Sequence, residues 1–152
     1  MDRNDILLLQ ALQQDSSRSL AELAELAGVS SSACHRRIKA LEASGVITGY
    51  AAQIDAHRLG LRLQAFVEIT LTSQSREAMD RFEAAVQDYD DILDCHLMSG
   101  NADYLLRVAA ADLEQYDRIH RDCLARLPGV SAMRSAFAIR RIKRWKGYPV
   151  RA

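Results

Sequence analysis

The sequence predicts an α+β chain in two parts: three short helices in a helix-turn-helix arrangement, then a ferredoxin-like βαββαβ domain. Up to about residue 45 the apolar residues recur every three or four positions, and the breaks fall at capping residues and glycines. From Leu63 the period changes to two, as in a strand with one covered side. The elements after that point run strand, helix, strand, strand, helix, strand, an order that closes most simply as an antiparallel sheet with both helices on one face.

Each element follows from local chemistry. Asp2 caps a first helix carrying Ile6, Leu8, Leu9 and Leu12, which ends near Asp15 where DSSRS breaks the pattern. Ser19 and Glu22 form a capping box for a second helix that stops at Gly28. Ser30 caps a third, in which Cys34, Ile38 and Leu41 make one apolar stripe and which Gly45 ends. VITGYAAQI then reads as a strand, and DAHRLGLR as a connection, so the expected boundaries are 1–48, 49–62 and 63–152.

In the second part LQAFVEITLT alternates, with Leu63, Ala65, Val67, Ile69 and Leu71 on one side. Ser75 caps a helix whose Met79, Phe82 and Val86 share a face; ILDCHLMS and YLLRVAA are strands separated by the turn SGNAD. Asp112 and Gln115 start a further helix carried by Leu113, Tyr116, Ile119, Cys123 and Leu127. Pro128-Gly129 stops it, and VSAMRSAFAIRRI is a long final strand.

The composition, 49% hydrophobic and 26% charged over 152 residues, is that of a soluble globular chain. No apolar run approaches the roughly 20 residues a membrane span needs, and MDRNDILLLQ has no basic segment ahead of a clean apolar stretch, so a cytoplasmic protein is expected. Cys34, Cys95 and Cys123 are widely spaced, with no C-x-x-C, and read as reduced thiols. No metal site, cofactor or catalytic residue is expected: His35, His57, His96 and His120 have no sequence-adjacent nucleophile, and neither a phosphate-cradling glycine loop nor a nucleophile elbow appears.

With a formal net charge of +0, whole-molecule attraction cannot bring the chain to a polyanion, so any such site must be local. One candidate is the third helix. Opposite its apolar stripe lie Ser32, Arg36, Lys39 and Ala43, with His35 at the margin, a set of donors suited to guanine O6 and N7 and to phosphate in the DNA major groove. Candidate DNA-contacting residues are therefore Ser30, Ser31, Ser32, His35, Arg36, Arg37 and Lys39, Arg37 as a phosphate or packing residue on the flank. The chain carries no acid after Asp122; its basic end, KRWKGYPVR, with Trp145 and Tyr148, fits a tail packed on its own domain or a subunit contact better than a ligand or DNA contact.

The ordered set MDRNDILLLQALQQDSSRS, LAELAGVS, CHRRIKALEASGVITGY, AFVEITL, CHLMSGNADYLLRV and RLPGV resembles the leucine-responsive regulatory protein and asparagine regulator (Lrp/AsnC) family of transcription factors along nearly the whole chain. The resemblance implies an N-terminal winged helix-turn-helix and a ferredoxin-like domain that dimerises and assembles further, often to octamers. It implies a nucleoid-associated regulator of double-stranded DNA, modulated by a small effector, usually an amino acid, bound between C-terminal domains.

In that family the loop commonly written G-D-x-D-Y borders the effector pocket. Met98, Ser99, Gly100, Asn101, Asp103 and Tyr104 stand there, and Asp103 has the chemistry to pair with an ammonium while glycine-turn N–H groups receive a carboxylate. Asn101 and Ala102 replace an aspartate and an aromatic common in the family, which motivates an alternative, an architectural DNA-binding protein that needs no effector.

Overall fold

The computed structural model describes residues 1–151 and divides into two compact units, one of Met1–Gln53 with the C-terminal segment 142–151, the other Ile54–Arg141. In the first, α1 (Arg3–Gln14), α2 (Leu20–Ala27) and α3 (Ser31–Ala43) begin where side chains satisfy orphan N–H groups. The Asp2 carboxylate accepts the Asn4 and Asp5 N–H groups, and the Asp5 carboxylate accepts the Asp2 N–H in return, a reciprocal cap. Ser19 and Glu22 repeat the arrangement on α2, and Ser30 accepts the Ala33 N–H on α3. Gly28, at φ +65°, makes the left-handed turn that sets α3 across α2.

Leu8 and Ala11 of α1, Leu23, Ala24 and Ala27 of α2 and Cys34 of α3 form the core of this unit, with Leu7, Leu12, Val29 and Ile38 packed around them. After Gly45 the expected strand VITGYAAQI does not form. Among the described residues, the segment's one backbone hydrogen bond runs from Ile47 N to Leu41 O. A strand exists only through a paired neighbour, and none of the described strands pairs with these residues.

The segment 142–151, placed by its position in the sequence with the second domain, packs on α1 instead. The Gln13 side-chain amide accepts the Tyr148 N–H at 2.6 Å and donates to the Tyr148 carbonyl at 3.1 Å, and Gln10 Nε2 donates to the Val150 carbonyl.

The second unit is a four-stranded antiparallel sheet in the order β2-β3-β1-β4, made of β1 (Leu63–Leu71), β2 (Ile92–Leu97), β3 (Tyr104–Ala110) and β4 (Val130–Phe137), with α4 (Arg76–Val86) and α5 (Leu113–Asp122) covering one face. The predicted alternation on β1 is realised: Ala65, Val67, Ile69 and Leu71 are buried beside Tyr104, Leu106, Val108 and Ala110 of β3. Phe82 and Val86 from α4 and Tyr116 and Ile119 from α5 close over them, each full burial of such a side chain contributing about 1.5–3 kcal/mol.

Several boundaries differ from expectation, among them the end of β2, which stops at Leu97 and leaves Met98 and Ser99 in the loop. α5 ends at Asp122, and a 3₁₀ turn over Leu124–Arg126 carries Leu124 and Leu127 into the core. β4 stops at Phe137 rather than running to Ile142, because its partner β1 begins at Leu63: Phe137 pairs with Ala65, and one last bond joins Ala138 N to Gln64 O.

Candidate nucleic-acid interface and effector loop

Burial of one side of α3 exposes the other. Cys34 is fully buried, Leu41 nearly so, and Ile38 half-buried, so Ser31, Ser32, His35, Arg36 and Lys39 face solvent. Arg36 forms no ion pair among the described residues and keeps all its donors available. Lys39 Nζ lies 2.7 Å from Glu42 Oε2, and Glu42 Oε1 accepts the Tyr50 hydroxyl. These two bonds, Lys39 first, hold the Glu42 carboxyl below the usual range. Ser30 is committed to its cap, and its Oγ lies 3.2 Å from that of Ser32.

Arg37 departs from the DNA-contacting set. Its guanidinium reaches back to α1, with Nη1 2.7 Å from Asp2 Oδ2 and 2.8 Å from Asp5 Oδ1. The bonds to Asp5 and then Asp2 hold it protonated still more firmly, and a cation so matched by two carboxylates ties α3 to the start of α1. The sequence named the residue as phosphate or packing; the geometry is that of packing.

The loop between β2 and β3 divides in the same way. Met98, Ser99, Gly100 and Asn101 are exposed, Gly100 at φ +127°, and the loop closes through Met98 N to the Asp103 carbonyl at 2.8 Å. Asp103 is already engaged: Oδ2 accepts the Leu71 N–H at 2.7 Å and Oδ1 accepts from Gln74 Nε2 at 2.9 Å. Tyr104 is in the core, 1% exposed, its ring 4.5 Å from that of Phe82 and its hydroxyl donating to Glu83 Oε1. Burial and then the Glu83 carboxylate push the Tyr104 phenol far up, so it stays a neutral donor. Within one chain, then, Asp103 and Tyr104 shape the loop, and its exposed rim is Met98 through Asn101.

The residues that engage Arg37, Asp103 and Tyr104 lie 21 to 35 positions away in the chain, so no local signal could have named Gln74, Leu71 or Glu83. No group of His, Cys, Asp and Glu suited to a metal occurs among the described residues, and none of their helices is long and apolar enough to cross a membrane. Cys34 and Cys123 are buried and Cys95 half-buried; desolvation raises the Cys95 and Cys123 thiols to about 11, which keeps both protonated at neutral pH.

A family model described as winged helix-turn-helix DNA-binding matches residues 1–48, and one described as Lrp/AsnC ligand binding domain matches residues 64–147. The leucine-responsive regulatory protein of Salmonella typhimurium is 38% identical over 143 residues, covering 94% of this chain and 87% of that protein. A transcriptional regulator from Neisseria meningitidis, solved as its complex with L-methionine, is 32% identical and superposes with a TM-score of 0.92 over 98% of this chain and 96% of its own. An AsnC family regulator from Agrobacterium tumefaciens, 36% identical, gives 0.93 over 98% and 97%.

Proposed function

The chain belongs to the Lrp/AsnC family of transcriptional regulators, and from that premise we propose that it binds specific double-stranded DNA sequences as a symmetric dimer or larger assembly, tuned by an amino acid or related metabolite. The observation that carries the DNA reading is the solvent-facing side of α3, where Arg36, without an ion pair among the described residues, stands beside Ser32 and His35 while Cys34 and Leu41 anchor the opposite side. An unpaired guanidinium on an exposed helix face is a geometry that reads guanine O6 and N7. Two-fold symmetry would set two such helices on half-sites one or more helical turns apart, on a pseudo-palindromic operator in nucleoid DNA.

The amino-acid reading is supported by the ligand-binding family match and by the L-methionine bound to the Neisseria relative. Its candidate residues here are Met98, Ser99, Gly100 and Asn101, with Asp103 and Tyr104 supporting them. Such a regulator performs no catalysis. Genomic footprinting of the purified protein with and without amino acids tests operator and effector together. Arg36→Ala is expected to abolish protection of the operator while leaving assembly intact, and unchanged protection would sink the assignment.

The departures at Asn101 and Ala102, together with an Asp103 carboxylate satisfied within the chain, favour a second reading, an architectural DNA-binding protein without effector. Calorimetry against a panel of amino acids separates the two. Heat or a change of assembly supports the regulated form, and uniform absence supports the architectural one.

A further inference from the structure

The three-helix body is not cationic. Residues 1–53 hold Arg3, Arg18, Arg36, Arg37 and Lys39 against Asp2, Asp5, Asp15, Glu22, Glu25 and Glu42. Of those five cations, Arg37 is matched by Asp2 and Asp5, and Lys39 by Glu42. A duplex carries one charge per about 1.7 Å of axis, and affinity for it rises with the number of phosphates a protein neutralises. A body with more acids than bases is poorly supplied for that task.

The missing charge is on the C-terminal segment that docks on this body. Lys143, Arg144, Lys146 and Arg151 are exposed, no acid accompanies them, and none forms an ion pair among the described residues. The docking is specific. Gln13 meets both backbone groups of Tyr148 as a neighbouring strand would, and Gln10 holds Val150. Gly147 sits at φ +94° with its α-carbon so close to the Gln13 side chain that a Cβ there would collide with Gln13 Oε1 and Cδ. Trp145 and Tyr148 stack edge to face with centroids 4.9 Å apart, which stiffens the stretch carrying the charges. A segment held in this way has less ordering entropy left to lose on binding than a free basic tail.

We propose that residues 142–151 form a second DNA-contacting surface of the N-terminal unit, in which Lys143, Arg144, Lys146 and Arg151 bind backbone phosphates flanking the bases that α3 reads. The assignment rests on the DNA-binding reading above. It divides the labour: α3 supplies sequence discrimination from a body with little net charge, and the docked segment supplies sequence-independent affinity.

The test is fluorescence anisotropy of the full chain on a labelled random-sequence duplex and on a footprinted operator across a salt series. In one variant Lys143, Arg144, Lys146 and Arg151 are all changed to Gln; in another, Gly147→Ala loosens the docking with every charge kept. The four-charge variant is expected to bind both duplexes on the order of tenfold or more weakly, with a slope of log affinity against log salt shallower by about 2 to 4, at about 0.9 per phosphate contact. Gly147→Ala is expected to shift in the same direction by less. An unchanged slope overturns the proposal, as does an affinity loss matched by a change in sedimentation mass, which would make the segment a subunit contact. Binding by the wild type with an unaltered slope in the variants sinks the tail assignment alone; no binding by the wild type to either duplex sinks the DNA-binding reading with it.

Discussion

Helix α3, singled out by its residue types, and the β2–β3 loop, singled out by the family resemblance, are treated differently by the fold. On α3 the residues chosen for their donors stand mostly in solvent, Arg36 without an ion-pair partner among the described residues. In the loop the two residues with the most telling chemistry, Asp103 and Tyr104, are taken up by the domain's own backbone and core. Helical geometry fixes which residues face outward once the apolar stripe is known, whereas a turn between strands offers its polar groups to whatever the fold brings near. A chemically suitable residue is a site candidate only while its hydrogen-bonding capacity is unspent.

That contrast breaks most visibly at Tyr104. Tyr104→Ala removes a buried ring stacked on Phe82 and is expected to cost about 3–5 kcal/mol in urea unfolding. Tyr104→Phe removes only the bond to the exposed Glu83 and should cost about 1 kcal/mol. Wild-type stability in the alanine variant would overturn the core placement of Tyr104.

Asp103 comes next. With alanine there, the Leu71 N–H on β1 loses its partner beside the buried Leu71 side chain, and Asp103→Ala should cost about 1–3 kcal/mol. Asn101→Ala, on the exposed rim, should stay within about 0.5 kcal/mol of wild type. Amino-acid binding, measured by calorimetry in both variants, sharpens the distinction: a loss confined to Asn101→Ala would assign ligand contact to the rim and support to Asp103.

How far each region was legible follows from the range of its interactions. The caps at Asp2, Ser19, Ser30, Ser75 and Asp112 were readable because donor and acceptor lie within about three residues of each other. The faces of β1 and α3 were readable from period alone. The strand expected over VITGYAAQI and the reach of β4 were not, since each depends on whether a neighbour stands alongside, which periodicity does not record. Arg37, Asp103 and the docking of Tyr148 on Gln13 were invisible for the same reason, being pairings between residues 29 to 135 positions apart.

Arg36 and Arg37 compress the comparison into two adjacent residues and give the smallest effect on stability. Arg36→Ala should leave the melting temperature unchanged at every pH. Arg37→Ala should lower it modestly at neutral pH, because the pair it breaks is partly exposed and screened. The pH dependence carries the sign. Asp2 is held below its ordinary value of 3.8, chiefly by the Asp5 N–H and then by Arg37, so its contribution is complete above that value and is lost as pH falls through the lower, folded one. The melting-temperature gap between wild type and Arg37→Ala should therefore be widest near neutrality and close progressively below about pH 4. A gap that persists unchanged into strong acid would show that Arg37 acts through its aliphatic stem and not through Asp2 and Asp5.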